Sequence, residues 1–233
     1  MRIATVPFVL AGISMASMAV AGPSERPWLV SCPPAMEFYL PGDYYFCVGG
    51  HRQVDGYAKA AIGYFERAAE WGDKRAQYLL GLMHFQGDGT PVDRPLGLAW
   101  LALAAERDDS DIDGALAFAR RHSSKAERQQ AERLLAEMWP IYADEFTVKR
   151  AATRYERETR QLRRSLAFDP FSAVLIDGLG YGSASSILRE MDKRAEQFFD
   201  GSRGGTVRIR ALDVVRDEAT TPADTKPRPS GER

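Results

Sequence analysis

Histidine and cysteine are scarce in this chain of 233 residues, with three His and two Cys. A zinc site built from the usual Cys/His ligands would consume nearly all of them, so no metal centre is expected. Local catalytic signatures are missing too: there is no G-x-S-x-G elbow, no H-E-x-x-H and no C-x-x-C. His51, His84 and His122 stand far apart, and spacing singles out no pair of acids. No catalytic residue, metal ligand or cofactor-binding residue is assigned, and the chain is not expected to be an enzyme. Net charge is nearly absent as well. The 31 Lys+Arg and 32 Asp+Glu leave −1, so no global field draws in nucleic acid or a membrane. What remains is ordinary globular material, 45% hydrophobic and 27% charged, with room for one medium domain or two small ones.

The one long apolar run is at the N-terminus. Arg2 precedes an apolar, small-residue stretch from Ile3 to Val20 that contains Pro7. Ala19-Val20-Ala21 then supplies an A-x-A cleavage pattern. Residues 1–21 are read as a signal peptide cut after Ala21, which places the mature protein in the periplasm or outside the cell without an integral span. An uncleaved anchor helix is the alternative. Leu29-Val30-Ser31-Cys32 imitates a lipoprotein acylation box, but Glu25, Arg26 and Pro27 stand where its apolar stretch should be. An exported chain with two cysteines most simply joins Cys32 to Cys47 in a disulfide; two free buried thiols are the alternative.

Between residues 22 and 54, five prolines and several glycines argue against a long helix. The expectation is a disulfide-pinned loop region. Its aromatics, among them Phe38, Tyr39, Tyr44 and Phe46, would cover the open end of a helical array beginning near residue 55, or form a surface for carbohydrate or peptide.

That array is a repeat. Tyr57–Asp73 and Arg94–Asp109 overlay residue on residue: Ile62 on Leu98, Tyr64 on Trp100, Phe65 on Leu101, and Ala68-Ala69-Glu70 on Ala104-Ala105-Glu106. Self-similarity of this length marks stacked helical hairpins. Apolar positions 58, 61, 62, 65, 68 and 69 follow helical spacing. Asp73 and Asp93 are placed to cap the next two helices, Gly87-Asp88-Gly89 to turn between them, and Pro95 to sit in a first turn.

The stretch 76–109 resembles a Sel-one-like repeat of the tetratricopeptide superfamily. Ala76, Leu80-Gly81, Gly87, Gly89, Asp93, Trp100 and Ala104-Ala105 carry the likeness. The sequence departs from the pattern at His84 (Tyr expected), Thr90 (Val expected) and Gly97 (Ala expected). Residues 57–73 resemble the second half of a preceding repeat, making about one and a half units. The resemblance implies an all-α fold: a short α/α-hairpin solenoid acting as a protein-interaction scaffold.

So short an array must be closed by the rest of the chain. Asp111–Arg120 reads as a degenerate third helix. Ser124 and Glu127 form a capping box opening a helix to about Trp139, where Pro140 breaks or kinks it. Glu145–Leu166 reads as an amphipathic helix with Phe146, Val148, Ala152, Tyr155, Thr159 and Leu162 in its apolar stripe. Its other face is basic, from Lys149 to Arg164, a solvated surface or one for anionic material. Residues 173–176 are β-prone and precede Gly178-Leu-Gly-Tyr-Gly182, which lacks the spacing of a nucleotide loop and is expected to be a glycine-rich loop against the core. An amphipathic helix through Ile187, Leu188, Met191, Ala195 and Phe198 comes next.

The expected organisation is therefore a leader (1–21), a loop region (22–54), repeats with capping helices (55–139), a C-terminal helical region (140–200), and an extended arm with a disordered tail (201–233). The expected function is noncatalytic protein binding in the bacterial cell envelope. Arg75, Tyr78, Leu82 and Phe85, one turn apart beside the core positions, are the candidate partner contacts; packing against the 111–120 helix is their other reading. The alternatives are an envelope enzyme with its site in residues 140–215, and anionic-surface binding by the basic helix.

Overall fold

The computed structural model describes residues 32–169 and 173–200. The expected leader with its cut after Ala21, and the arm and tail of residues 201–233, lie outside the described residues.

Local chemistry starts and stops most helices where the sequence places them. After the short α1 (Met36–Tyr39) come α2 (Pro41–Val54), α3 (Ala58–Glu70), α4 (Lys74–Gln86), α5 (Arg94–Ala104), α6 (Ser110–Arg121) and α7 (Lys125–Tyr142). The Asp73 carboxylate accepts from the Ala76 N–H at 3.0 Å and the Asp93 carboxylate from the Leu96 N–H at 3.0 Å. Asp109 caps α6 in the same way. The Ser124–Glu127 box is complete, with both reciprocal bonds present. Each such cap is worth about 1 kcal/mol.

α2 pairs with α3 and α4 with α5, and α5 packs in turn on α7. Between the hairpins lies a core of Phe65, Leu80, Trp100 and Leu103, filled out by Ala61, Ala68, Ala69 and Ala76. The alanines let the helix axes approach closely. Phe65 is wholly buried, and burying such a side chain contributes roughly 1.5–3 kcal/mol.

The loop expected over residues 22–54 is a helix from Pro41 onward, which makes α2–α3 a full hairpin and the array two units long. Proline sits in the first turn of α2, where its missing N–H costs nothing. The glycines serve close approach: a Cβ on Gly49 would lie 2.7 Å from the Phe65 ring, and one on Gly42 2.6 Å from the Phe198 ring. Tyr45 and Phe46 pack on the hairpin core, not over an open end. The disulfide Cys32–Cys47 is present and ties the segment before α1 to the middle of α2.

Pro140 does not end α7, which runs on to Tyr142. It falls in the last turn, so a single ladder bond is lost, and the Ala143 N–H still reaches the Trp139 carbonyl at 3.0 Å. α8 (Asp144–Phe168) follows, then an antiparallel hairpin of β1 (Ala173–Ile176) and β2 (Gly180–Ser183), then α9 (Ala184–Phe198). Ala173 pairs with Ser183 and Ile176 with Gly180. The expected glycine loop is thus partly a strand; the turn lies at residues 177–179, with Gly178 at φ +74°. α8 and α9 form a second core with the N-terminal segment: Met36, Leu40, Ala151, Tyr155, Met191 and Phe198. Phe146, expected in the buried stripe of α8, is 42% exposed; Thr147 is the buried neighbour, because Gly72 at the turn after α3 faces its side chain.

Candidate functional site

Of the four partner-contact candidates on α4, the structure brings three together. Tyr78, Leu82 and Phe85 lie half-buried on a cluster of Leu98 and Leu101 from α5, Leu116 and Ala119 from α6, and Ala131 from α7. Arg75 stands apart, toward α2. Its guanidinium is half exposed, bonds Asp73 at 2.5 Å and Asp43 at 2.9 Å, and lies 4.1 Å from the centroid of the Phe46 ring. Burial works to lower its pKa, but the two carboxylates outweigh it and hold the charge more firmly than in a free arginine.

A buried polar knot, invisible to local patterning, lies where the inter-repeat turns meet the C-terminal helices. Lys74 directs its three donors to Gln77 Oε1 (2.9 Å), the Leu103 carbonyl (2.9 Å) and the Glu106 carboxylate, with Asp144 Oδ1 at 3.2 Å. Arg107 donates two bonds to Asp144, at 2.8 and 3.0 Å, and others to the carbonyls of Phe198 and Gly72. The Asp144 N–H donates to Glu106, and the Gln77 amide to the Tyr142 carbonyl. The two acids respond in opposite senses. Burial pushes the Glu106 carboxyl above its ordinary range against the pull of Lys74. Asp144 feels the same burial, but Arg107 and Lys74 together hold it below. Every charge is partnered, and the knot joins the second hairpin to α7, α8 and α9.

Two grooves run along α8. One, between α8 and α9, is lined by Val148, Ala152, Tyr155, Arg163, Asp192 and Phe199. There the Tyr155 hydroxyl donates to Asp192 at 2.7 Å, and Arg163 pairs with the same carboxylate. Burial, then the Asp192 bond, push the tyrosine up, further from neutrality. That is an anchored phenol, not a poised acid or base. The other groove has a volume of about 660 Å³ and is bounded by Trp71, Phe146, Lys149, Arg150, Arg154 and Arg157. The basic face expected from the sequence therefore divides. Arg163 is neutralised by Asp192, and Arg157 pairs with the adjacent Glu158. Arg150 and Arg154 reach backbone carbonyls of residues 70, 141 and 38.

Cys32, Cys47 and His51 bring their ligand atoms within 4.8 Å of one another. With both sulfurs in the disulfide they offer no thiolate, so this is not a metal centre as it stands. His84, at the repeat position where Tyr is expected, is buried at 8% exposure; burial lowers its pKa, with Asp93 opposing, and its Nε2 has no hydrogen-bond partner. His122 stacks on Phe118 and bonds the Phe118 carbonyl.

Consecutive antiparallel helical hairpins with caps at fixed offsets define an α/α solenoid of the tetratricopeptide-like class, here closed by a C-terminal helix pair. Residues 39–73 and 74–109 each match the Sel1 repeat family, so the chain carries two Sel1 repeats. Their boundaries agree with α2–α3 and α4–α5. Such repeats are generally protein–protein interaction modules and typically noncatalytic. No curated protein and no solved structure matches the chain. Among the described residues no helix is long and apolar enough to cross a membrane.

Proposed function

We propose that this chain is a noncatalytic protein-interaction module of the bacterial cell envelope, exported by a cleaved leader and holding a protein partner on the α2–α4 side of its repeats. The Arg75–Phe46 pair carries the reading. Arginine and aromatic residues dominate binding energy at protein interfaces, and this arginine is held in place by Asp43, Asp73 and the Phe46 ring, so docking would cost it little side-chain entropy. The exposed edges of Tyr78, Leu82 and Phe85 extend the surface along α4. The disulfide is consistent with an oxidising compartment.

The test is crosslinking with mass spectrometry in the native envelope, followed by pull-down with Arg75→Ala, Tyr78→Ala and Phe85→Ala. Loss of a crosslinked protein with Arg75→Ala supports the face. Recovery unchanged in all three variants removes it. A mature chain that still begins at Met1 would overturn the cleaved leader.

A further inference from the structure

The groove beneath α8 is a built site that the repeat fold does not require. Phe146, Lys149, Arg150, Thr153 and Arg157 recur at helical spacing on the face of α8 opposite its buried residues Ala151, Tyr155 and Thr159. The other wall is Trp71, at the turn between the two repeats. Arg154 lies between two rings, 5.6 Å from the Trp71 centroid and 5.5 Å from that of Phe38, and donates to the Phe38 carbonyl at 2.9 Å. Arg150 lies 5.8 Å from the Trp71 centroid and donates to the Ile141 carbonyl at 3.1 Å. Both guanidiniums are thus oriented by neutral acceptors that leave their charge uncompensated. Lys149 has no ion pair among the described residues. The one acid lining the groove is Glu145, which accepts from the Trp139 indole. A cluster of cations is therefore concentrated here in a chain whose overall charge is −1.

We infer that this groove binds an acidic, extended peptide segment of a protein partner, with carboxylates on Lys149, Arg150 and Arg154 and an apolar side chain between Trp71 and Phe146. The inference rests on the interaction-module reading but not on the α2–α4 face. Pre-oriented guanidinium forks match carboxylates. A shallow, open recess of about 660 Å³ admits a few side chains of a strand or turn. Trp71 and Phe146, the latter 42% exposed, give the walls an apolar surface that an inorganic anion would not use.

The test is fluorescence anisotropy on the intact disulfide-bonded chain. The probes are a fluorescein-labelled peptide of alternating glutamate and leucine, its glutamine–leucine counterpart, and vesicles of phosphatidylglycerol. Lys149→Glu with Arg157→Glu reverses two exposed charges and spares the arginines that bond backbone carbonyls; circular dichroism checks its fold. Saturable binding of the glutamate peptide, at least tenfold weaker for the glutamine peptide, for the folded double variant and in 0.5 M salt (on the order of a 4 Å screening length), is the expected result. Equal binding of the two peptides, no loss in the variant, or binding to vesicles alone would overturn it. Envelope pull-down with the double variant separates the two proposals. A partner still recovered by the variant, together with unchanged binding of the glutamate peptide, removes the groove and leaves the module; no partner recovered by the wild-type chain removes the module itself.

Discussion

Removing the Lys74 ammonium should be a severe change in the repeats. The side chain is 6% exposed and that of Glu106 2%. Lys74→Met leaves Glu106 buried with the Asp144 N–H at 3.1 Å as its remaining donor, and strands Gln77 Oε1 and the Leu103 carbonyl. Breaking a buried pair by removing one partner costs about 3–5 kcal/mol, because the other charge stays behind. For a chain of this size that is on the order of 10 °C in Tm. Lys74→Met with Glu106→Gln removes both charges, and its loss should fall short of the sum of the single losses by about 2 kcal/mol. The pH dependence has a definite sign. Glu106 already titrates above its ordinary value, and without Lys74 it must move higher. A carboxyl whose folded pKa is raised contributes stability below its unfolded pKa and loses it as pH rises through the folded one. Lys74→Met should therefore be closer to wild type at pH 5 than at pH 8. Urea unfolding followed by circular dichroism and tryptophan fluorescence measures all of this. A single-variant loss under about 1 kcal/mol, or additivity within about 0.5 kcal/mol, would refute the view that the knot acts as one unit.

Three other perturbations probe separate parts of the fold. Replacing Cys32 and Cys47 by serine opens a loop with a sequence separation of 15 and should cost ~3 kcal/mol, seen in urea titration and matched by wild type in dithiothreitol. Gly97→Ala, although alanine suits the repeat pattern, would place a Cβ 2.7 Å from the Phe85 N and 2.8 Å from the Gly81 carbonyl; a loss of about 1–3 kcal/mol is expected, and neutrality would show that α4 and α5 can separate freely. His84 is neutral above its unfolded pKa, and because burial depresses its folded pKa, it costs stability as pH falls through 6.5 and on through the folded value. His84→Tyr should lose less stability than wild type between pH 7.5 and 5, measured as Tm.

The parts of the site legible in the sequence were those with a local signal. Asp73, Asp93 and the Ser124–Glu127 box announce helix starts because a cap bonds within three residues of itself. The disulfide was legible because two cysteines admit one pairing. Arg75 was picked out by spacing, but not its stacking on Phe46 across two helices. Tyr78, Leu82 and Phe85 share the spacing of a surface stripe, yet α5, α6 and α7 bury part of each, and spacing cannot report a neighbour supplied from elsewhere. The cations of α8 were visible as a basic helix face; their division into neutralised and free members depends on Glu158 and Asp192 and on three backbone carbonyls.

The amino-acid pattern alone determined the helical hairpins, their caps and the repeat, since periodicity and capping act over one or two turns. Only the tertiary structure decided that residues 41–54 form a helix, because the rings of Phe65 and Phe198 that fill the space beside Gly49 and Gly42 come from distant positions. It also decided how the array is closed. Lys74, Glu106, Arg107 and Asp144 are ordinary charges one by one, and they become a buried knot because the turns of the repeats and the start of α8 meet at one place.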